Sequence, residues 1–228
     1  MSTSERRVML ITGASSGIGA ATARAAVRSG IHVALLARRK ESLDALVAEL
    51  GPERALALAC DASDFEQQDQ AIQATVAHFG GLDIAFANAG MGLSTPGTEK
   101  GDPKEWRRLI EINVLGVLWT AKLVLPHLRV RTGHFLMTSS VAGRTSHKGS
   151  IYGASKWFVH GFGLNLAEEM ATWGGRCTTL SPGMVDTAFF DTPKPTKLKP
   201  EDIAEAAMFA IHSPQRANVR EIFVVPTY

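Results

Sequence analysis

Apolar positions recur along the chain with two different spacings. Short apolar runs rich in strand-forming residues are separated by longer stretches in which apolar positions recur every three or four residues. Strand runs that alternate with helical stretches are typical of βαβ units, in which helices cover both faces of a mainly parallel sheet. The pattern predicts seven strands, at residues 8–12, 32–37, 55–60, 83–88, 134–139, 177–181 and 221–225. It predicts six helices, at residues 17–29, 40–49, 65–79, 103–125, 152–173 and 200–212.

The composition fits one compact α/β domain that extends over residues 1–228. Hydrophobic residues make up 45% of the chain and charged residues 20%, which are ordinary values for a globular protein. A chain of this length buries well over half of its unfolded surface as a single domain. Together with the alternating pattern, this predicts a Rossmann-type, doubly wound, seven-stranded parallel sheet with helices on both faces.

Charge and targeting features exclude two classes of partner. The 24 basic and 22 acidic residues give a net charge of +2 without a long basic stripe, so we expect no nucleic-acid surface. No segment approaches the roughly 18 apolar residues that a membrane-spanning helix needs. The first residues also lack the apolar region and cleavage site of a secretion signal. We therefore expect a cytoplasmic protein without a membrane partner.

Side chains that commonly bind metals do not show the spacing of a metal site. The two cysteines, Cys60 and Cys177, lie in apolar runs without a CxxC neighbour or a nearby pair of histidines. The seven histidines are scattered in the same way. We interpret both cysteines as buried structural thiols rather than metal or redox groups. The sequence therefore predicts no metal site.

A glycine-rich turn follows the first predicted strand directly and opens an alanine-rich helix. A helix N-terminus presents unpaired backbone N–H groups and a positive dipole, and glycine lets a pyrophosphate approach that backbone closely. Glycine also serves tight turns for purely conformational reasons, but the position between strand and helix favours a dinucleotide site. The predicted cofactor contacts in this turn are Gly13, Ser15, Ser16, Gly17, Ile18 and Gly19.

The second predicted strand ends in Arg38 and Arg39, where an NAD enzyme would offer a carboxylate to the ribose 2′-hydroxyl. A guanidinium at this point suits a 2′-phosphate, because its planar fork donates charge-assisted hydrogen bonds to phosphate oxygens. The alternative is a solvated strand end that binds nothing. We prefer the first interpretation, which predicts NADP(H) as the cofactor rather than NAD(H).

Tyr152 and Lys156 stand four residues apart in a predicted helix, so their side chains share one face. A free tyrosine has a pKa of about 10 and is almost wholly protonated at neutral pH, which makes it a poor general base. A nearby ammonium lowers that pKa, and Lys156 is the predicted source. Taken alone, the pair also fits a solvated tyrosine that packs on a lysine stem, so its meaning depends on the accompanying motifs.

Several short motifs occur in an order that is shared with a known family. They are the glycine-rich turn, Asp61-Ala62, Asn88-Ala89-Gly90, Asn113, Ser139-Ser140, Tyr152 to Lys156 and Pro182-Gly183. With them the chain resembles the short-chain dehydrogenase/reductase family from its first predicted strand to its last. The resemblance implies a Rossmann fold and a nicotinamide-dependent oxidoreductase.

The resemblance implies a second set of cofactor contacts. Asp61 and Ala62 would border the adenine. Asn88, Ala89 and Gly90 would stabilise the central strands beside the cofactor. The residues that would line the nicotinamide are Pro182, Gly183, Val185 and Thr187.

The resemblance also implies a catalytic set of Asn113, Ser140, Tyr152 and Lys156. Tyr152 would transfer the proton and Ser140 would hydrogen-bond the carbonyl. Lys156 would also hold the nicotinamide ribose, and Asn113 would anchor a water relay through it. Ser140 lies twelve residues before Tyr152, whereas many members have thirteen, which Ser139 would restore. We choose Ser140 because it directly precedes a Val-Ala-Gly segment, and Ser139 is the alternative.

Together these features predict NADP(H)-dependent interconversion of a carbonyl and a secondary alcohol. The partner would be a small or medium-sized carbonyl or alcohol substrate, with 3-hydroxy acids as one option. The alternative is a catalytically idle NADP(H)-binding sensor or scaffold, because one fold can carry binding without turnover. The family resemblance further implies a homodimer or homotetramer.

Overall fold

The computed structural model describes residues 6–95 and 97–227 and contains a seven-stranded sheet. All neighbouring strands run parallel, in the order β3-β2-β1-β4-β5-β6-β7. The predicted doubly wound sheet is therefore confirmed, and each predicted strand end is within one residue of the observed one. The strands are β1 (Val8–Thr12), β2 (His32–Ala37), β3 (Ala55–Ala59), β4 (Ile84–Ala87), β5 (His134–Thr138), β6 (Arg176–Pro182) and β7 (Glu221–Val224).

Helices cover both faces of the sheet, because successive strand side chains point to opposite sides. Met9 and Ile11 of β1 join one apolar core, while Val8 and Leu10 join the other. Helices α1, α2 and α7 pack on the first face, and α3, α5 and α6 pack on the second. The helices are α1 (Gly17–Arg28), α2 (Lys40–Leu50), α3 (Phe65–Phe79), α4 (Pro103–Ile110), α5 (Gly116–Arg131), α6 (Ile151–Ala171) and α7 (Pro200–His212).

A π-helical turn, Glu111–Leu115, joins α4 to α5, so that one continuous helix extends over Pro103–Arg131. The predicted end at residue 125 is wrong, because the helix continues through Pro126 and ends only before Thr132, whose φ is 50°. Proline removes one backbone hydrogen bond from a helix, but packing of the following turn can outweigh that loss. The π-helical turn is the part of this helix that matters for the site, because it contains Asn113.

The same helix corrects the expectation about membrane-spanning length. Its most apolar 18 residues have a mean hydropathy of 1.5, and 44% of them are buried. By length and composition alone, Pro103–Arg131 is able to cross a membrane. Its α5 part packs against β4, β5 and α3, and core helices of soluble proteins meet the same criterion. The criterion therefore does not by itself indicate a membrane protein.

Both cysteines are buried and unpaired, as the sequence predicts. Burial raises the pKa of the Cys60 thiol to about 12, and the nearby carboxylates of Asp61 and Asp64 act in the same direction. Burial also raises the pKa of Cys177 to about 12. Both thiols therefore stay protonated at neutral pH, whereas the thiolate is the reactive and metal-binding form.

Candidate active site

The predicted site residues meet at the carboxyl edge of the sheet. The chain leaves β1 toward β2 and leaves β4 toward β5, so the direction of winding reverses between the two adjacent central strands. Ligands of doubly wound sheets bind in the crevice outside the strands at such a point. The residues that follow the carboxyl ends of successive strands include Gly13, Arg38, Asp61, Asn88, Ser140 and Gly183.

The glycine-rich turn has no room for side chains at its centre. Gly13 and Gly17 have φ angles of 67° and 54°, in the left-handed region that favours glycine. A Cβ at Gly19 would lie 2.4 Å from the Gly13 carbonyl oxygen and 2.8 Å from Asn88 Nδ2. Helix α1 begins at Gly17, so its unpaired N–H groups face the space that the missing side chains leave open. This arrangement fits a bound pyrophosphate.

Asn88 connects three neighbouring strands beside this turn. Its Nδ2 donates to the Thr12 carbonyl oxygen at 3.1 Å, and its Oδ1 accepts from Thr138 Oγ1 at 3.1 Å. Thr12 Oγ1 accepts from the backbone N–H groups of Asn88 and Ala89, each at 3.0 Å. The bonds hold the ends of β1, β4 and β5 together. Thr12 is thus a structural residue of the site that is not among the predicted contacts, although a hydroxyl at the end of the first strand is visible in the sequence.

A cationic corner lies against the glycine-rich turn. Arg39 Nη2 donates to Ser15 Oγ at 3.2 Å and to Ser16 Oγ at 3.3 Å. Arg38 is exposed and has no hydrogen bond to any residue in the described part of the chain. The two guanidinium groups and two hydroxyls are donors that fit a phosphate on the adenine ribose.

Asp61 forms a fixed wall at the end of β3. Its Oδ1 accepts from Ser63 N at 2.9 Å and Ser63 Oγ at 2.7 Å, and its Oδ2 accepts from Arg108 Nη2 at 2.6 Å. Burial raises the pKa of Asp61. The hydrogen bonds from Ser63 and Arg108 together lower this pKa by more than burial raises it, so the pKa lies below its usual value. The neighbouring Ala62 is anchored through its carbonyl, which accepts from Gln68 Nε2 at 2.6 Å. These contacts fix the segment that the family resemblance predicts to border the adenine.

The structure separates the two candidate serines. Ser140 lies close enough to the Tyr152 phenol to lower its pKa, whereas its Oγ accepts from Ala142 N at 3.1 Å and donates to the Pro182 carbonyl at 3.5 Å. Ser139 points the other way, and its buried hydroxyl donates to the Lys156 carbonyl at 2.9 Å. The geometry therefore brings Ser140, and not Ser139, to the tyrosine.

Single alanine variants test this assignment. We expect Ser140→Ala to lower ketone turnover by about 100-fold, since a donor aimed at developing negative charge is removed. Ser139→Ala removes only a bond to backbone, so we expect turnover to stay within about threefold and thermal stability to fall modestly. Steady-state kinetics with NADPH compare the two. A larger loss in Ser139→Ala would reverse the assignment.

Lys156 does not lower the pKa of Tyr152 in this structure, which corrects the sequence prediction. Burial raises the pKa of Tyr152 above its usual value, and the nearby Ser140 only partly opposes this. Burial also lowers the pKa of Lys156 to about 8. Lys156 Nζ lies 5.7 Å from the centre of the Tyr152 ring and donates to the Thr138 carbonyl at 2.8 Å. Burial therefore sets the direction of the shift of both groups.

Asn113 lies on the π-helical turn and faces Lys156. Its Nδ2 donates to the Met91 carbonyl at 3.0 Å and to Ser155 Oγ at 3.1 Å, while its Oδ1 accepts from Met91 N at 2.9 Å. A Cβ at Gly90 would lie 3.4 Å from Asn113 Oδ1 and 3.5 Å from Lys156 Nζ. The absence of a side chain at Gly90 therefore leaves the two polar groups facing each other.

The segment after β6 folds back over the glycine-rich turn. Gly183 N donates to the Val224 carbonyl at 2.8 Å, and buried Val185 pairs with Leu198. A Cβ at Gly17 would lie 3.1 Å from the Thr187 methyl carbon. The predicted nicotinamide wall, which begins at the end of β6, therefore reaches the predicted pyrophosphate site.

Phe189 lies in the predicted substrate loop between Thr187 and Pro200, but nothing in the sequence predicts its contact with Tyr152. Its ring centre lies 5.7 Å from that of Tyr152, with the two planes tilted by 56°. The sequence shows two adjacent phenylalanines in an irregular loop, but no periodicity there indicates which ring turns inward.

Among the described residues, no three His, Cys, Asp or Glu side chains are grouped so that they could hold a metal ion.

Comparison with known proteins agrees with this geometry. The family model described as short chain dehydrogenase matches residues 7–197. The chain belongs to this family. A relative from Staphylococcus aureus strain MRSA252, described as an uncharacterized oxidoreductase, is 39% identical over 225 residues, which cover 96% of this chain and 97% of the relative.

Two solved structures of similar size share the fold. One is an alcohol dehydrogenase from the archaeon Thermococcus sibiricus complexed with 5-hydroxy-NADP, with a TM-score of 0.91, 32% identity and coverage of 98% of both chains. The other is a 3-ketoacyl-(acyl-carrier-protein) reductase from Brucella melitensis complexed with NADH, with a TM-score of 0.90, 31% identity and coverage of 97% of both chains. The protein is thus an oxidoreductase of the short-chain dehydrogenase family.

Proposed function

We propose that the protein interconverts a carbonyl and a secondary alcohol with NADP(H), with Tyr152 as the proton-transferring residue. The observation that carries the proposal is that Ser140 lies against the Tyr152 phenol at the carboxyl edge of the sheet, while Ser139 is turned away to the Lys156 carbonyl. Lys156 and Asn113 stand behind this pair, and the glycine-rich turn lies across the same crevice. The proton donor, the hydrogen-bond donor to the substrate carbonyl and the glycine-rich turn for the nucleotide are therefore parts of one site.

The chain's own groups suit the reducing direction at neutral pH. A bound nicotinamide supplies the hydride. Because burial raises its pKa, Tyr152 stays protonated and is able to donate to the oxygen of a carbonyl that accepts hydride. Ser140 is oriented by the N–H of Ala142 and stabilises the developing charge on the same oxygen. Lys156, with its pKa lowered by burial to about 8, remains mostly charged at neutral pH and is held behind the phenol by the Thr138 carbonyl.

The preference for NADP(H) rests on the cationic corner. The solved relatives described above were complexed with 5-hydroxy-NADP in one case and NADH in the other. In this chain, Arg38 and Arg39 follow β2 without an intervening carboxylate, and Arg39 is already held beside Ser15 and Ser16. These donors support a 2′-phosphate rather than free ribose hydroxyls.

An Arg38→Ala, Arg39→Ala double variant tests the cofactor choice. We expect the dissociation constant for NADPH to rise by about 100-fold, because two charge-assisted contacts to phosphate are lost. NADH affinity should change by less than about threefold. Fluorescence titration of both nucleotides measures the two constants. An unchanged NADPH constant would mean that the arginines are a solvated strand end.

A substrate panel tests the reaction itself. Ketones and β-keto acids are offered with NADPH and with NADH, and absorbance of the reduced nicotinamide is followed. We expect oxidation of NADPH with some members of the panel, 3-keto acids included as a candidate class. Tight NADPH binding without oxidation across a broad panel would instead favour the sensor or scaffold.

We also propose that the protein is one cytoplasmic domain that forms a homodimer or homotetramer. Helix α6 exposes large apolar side chains at Trp157, Phe158 and Leu164, which are 48%, 39% and 42% exposed. Contiguous exposed apolar side chains are typical of surfaces that associate. Pairing of this helix with its copy would remove them from water.

A further inference from the structure

The loop after β6 is tied at its base by one carboxylate. Asp186 Oδ1 accepts from Lys194 N at 2.7 Å, and Asp186 Oδ2 accepts from Lys199 Nζ at 2.8 Å. Val185 and Leu198 pair across the same base. The residues between them therefore form a closed loop with fixed ends, and its apolar part, Phe189 and Phe190, projects over the site.

Phe189 spans from this loop to the segment after β4. A Cβ at Gly92 would lie 3.1 Å from Phe189 Cζ, so the ring already touches the Gly92 backbone. On its other side the ring packs on Tyr152 at 5.7 Å between centres. Phe189 remains 44% exposed, which makes it the outer boundary of the space beside the phenol. Phe190 contacts Phe189 edge-on and lies under Lys194, without a contact to Tyr152.

We propose that Phe189 determines substrate specificity by closing the Gly92 side of the site, so that the carbonyl substituent on that side must be small and apolar. The inference rests on the proposed function, because it concerns the substrate of the same tyrosine. The oxygen of a bound carbonyl is fixed by Tyr152 and Ser140. A substituent directed toward Gly92 therefore meets a phenyl ring that is held by a tied loop. The overlap with that ring grows with the size of the substituent, so a branched group is disfavoured relative to a methyl group.

Matched ketones measure this selectivity. The pairs are acetophenone with isobutyrophenone and butyl methyl ketone with butyl isopropyl ketone, which differ only in the small substituent. We expect the unaltered protein to prefer the methyl ketone. Phe189→Ala should raise the isopropyl-to-methyl ratio of kcat/KM by at least about tenfold, which is the scale at which a few methylene groups discriminate. Phe190→Ala, the control from the same loop, should change that ratio by less than about threefold.

A double-mutant cycle with Gly92 tests the contact. Gly92→Ala adds a methyl group against Phe189, and we expect it to lower kcat/KM for the methyl ketones several-fold. The same change in a Phe189→Ala background should have no effect, because the ring is gone. Equal effects of Gly92→Ala in both backgrounds would overturn the proposed closure.

A second readout needs no turnover. The chain has only two tyrosines, and Tyr152→Phe leaves one as a reference. Tyr152 faces Ser140, Lys156 and the Phe189 ring, so uncovering it in Phe189→Ala should move its spectroscopic titration to lower pH, whereas Phe190→Ala should not. An unchanged titration in Phe189→Ala contradicts the inference. Absence of ketone turnover in the unaltered protein contradicts the proposed function and the specificity that depends on it, whatever the titration shows.

Discussion

Tyr152→Phe is expected to lower ketone turnover by about three orders of magnitude while NADPH affinity changes by less than about twofold. The substitution removes only the hydroxyl, which is the proton donor, and general acid catalysis contributes effects of this size. The phenyl ring keeps its packing against Phe189 and beneath Lys156, so the shape of the site is preserved. Single-turnover kinetics with NADPH give the rate, and fluorescence titration gives the affinity.

Thermal unfolding of the same variant separates a chemical role from a structural one. Loss of the hydroxyl should cost about 1 kcal/mol of unfolding free energy or less, which is the scale of one side-chain hydrogen bond. Trp157→Phe is a control at an exposed position of the same helix, five residues after Tyr152, where the side chain is 48% exposed. Turnover of Tyr152→Phe within tenfold of the unaltered protein would exclude Tyr152 as the proton donor. Joint loss of stability and NADPH binding would assign it a structural role.

The sheet could be predicted from the sequence because its strands are buried on both faces. A parallel central strand reads as a continuous apolar run, so the start and end of β1 and β2 are visible without any tertiary information. The end of α5 could not be predicted, because Pro126 is a local stop signal whereas the reason to continue is tertiary. Leu128 is fully buried in the core, and only a helix that passes the proline places it there.

The candidate site could be predicted as a set of residues but not as a set of orientations. Ser139 and Ser140 follow β5, and adjacent residues of an extended chain point to opposite sides. Spacing along the sequence therefore does not decide between them, whereas the fold directs Ser139 to the Lys156 carbonyl and Ser140 to Tyr152. The Lys156 partner could not be predicted either, since a backbone carbonyl such as that of Thr138 belongs to every residue type.

The pKa of Tyr152 could not be predicted for a different reason. Helical spacing shows that Tyr152 and Lys156 are neighbours, and an ammonium next to a phenol favours the phenolate. Burial acts in the opposite direction on both groups, and its size depends on every element packed around them. The four-residue spacing therefore predicts that Tyr152 and Lys156 are neighbours. Their charge states depend on how deeply the whole fold buries them.

Gly19→Ala is expected to raise the NADPH dissociation constant by at least about 100-fold and to lower the free energy of unfolding by about 2 kcal/mol. The added Cβ would lie 2.4 Å from the Gly13 carbonyl oxygen and 3.0 Å from Ala14 Cα, both of them backbone atoms. Gly13 has little room to move away, because the position of its own Cβ would be 2.9 Å from Ala89 Cα. The turn must therefore open, which displaces the N–H groups that face the pyrophosphate site.

Gly161→Ala supplies the matched control for this change. Gly161 lies inside α6, and a Cβ there meets nothing within 4 Å, so we expect unchanged NADPH binding and a gain of up to about 1 kcal/mol from helix propensity. Titration with NADPH gives the dissociation constant of each variant, and chemical unfolding gives its stability. The two variants differ in whether the added Cβ meets neighbouring atoms. If Gly19→Ala binds NADPH within threefold of the unaltered protein and unfolds at the same denaturant concentration, the turn tolerates a side chain. Its glycines would then serve backbone conformation alone, and close approach of a phosphate would no longer explain Gly19.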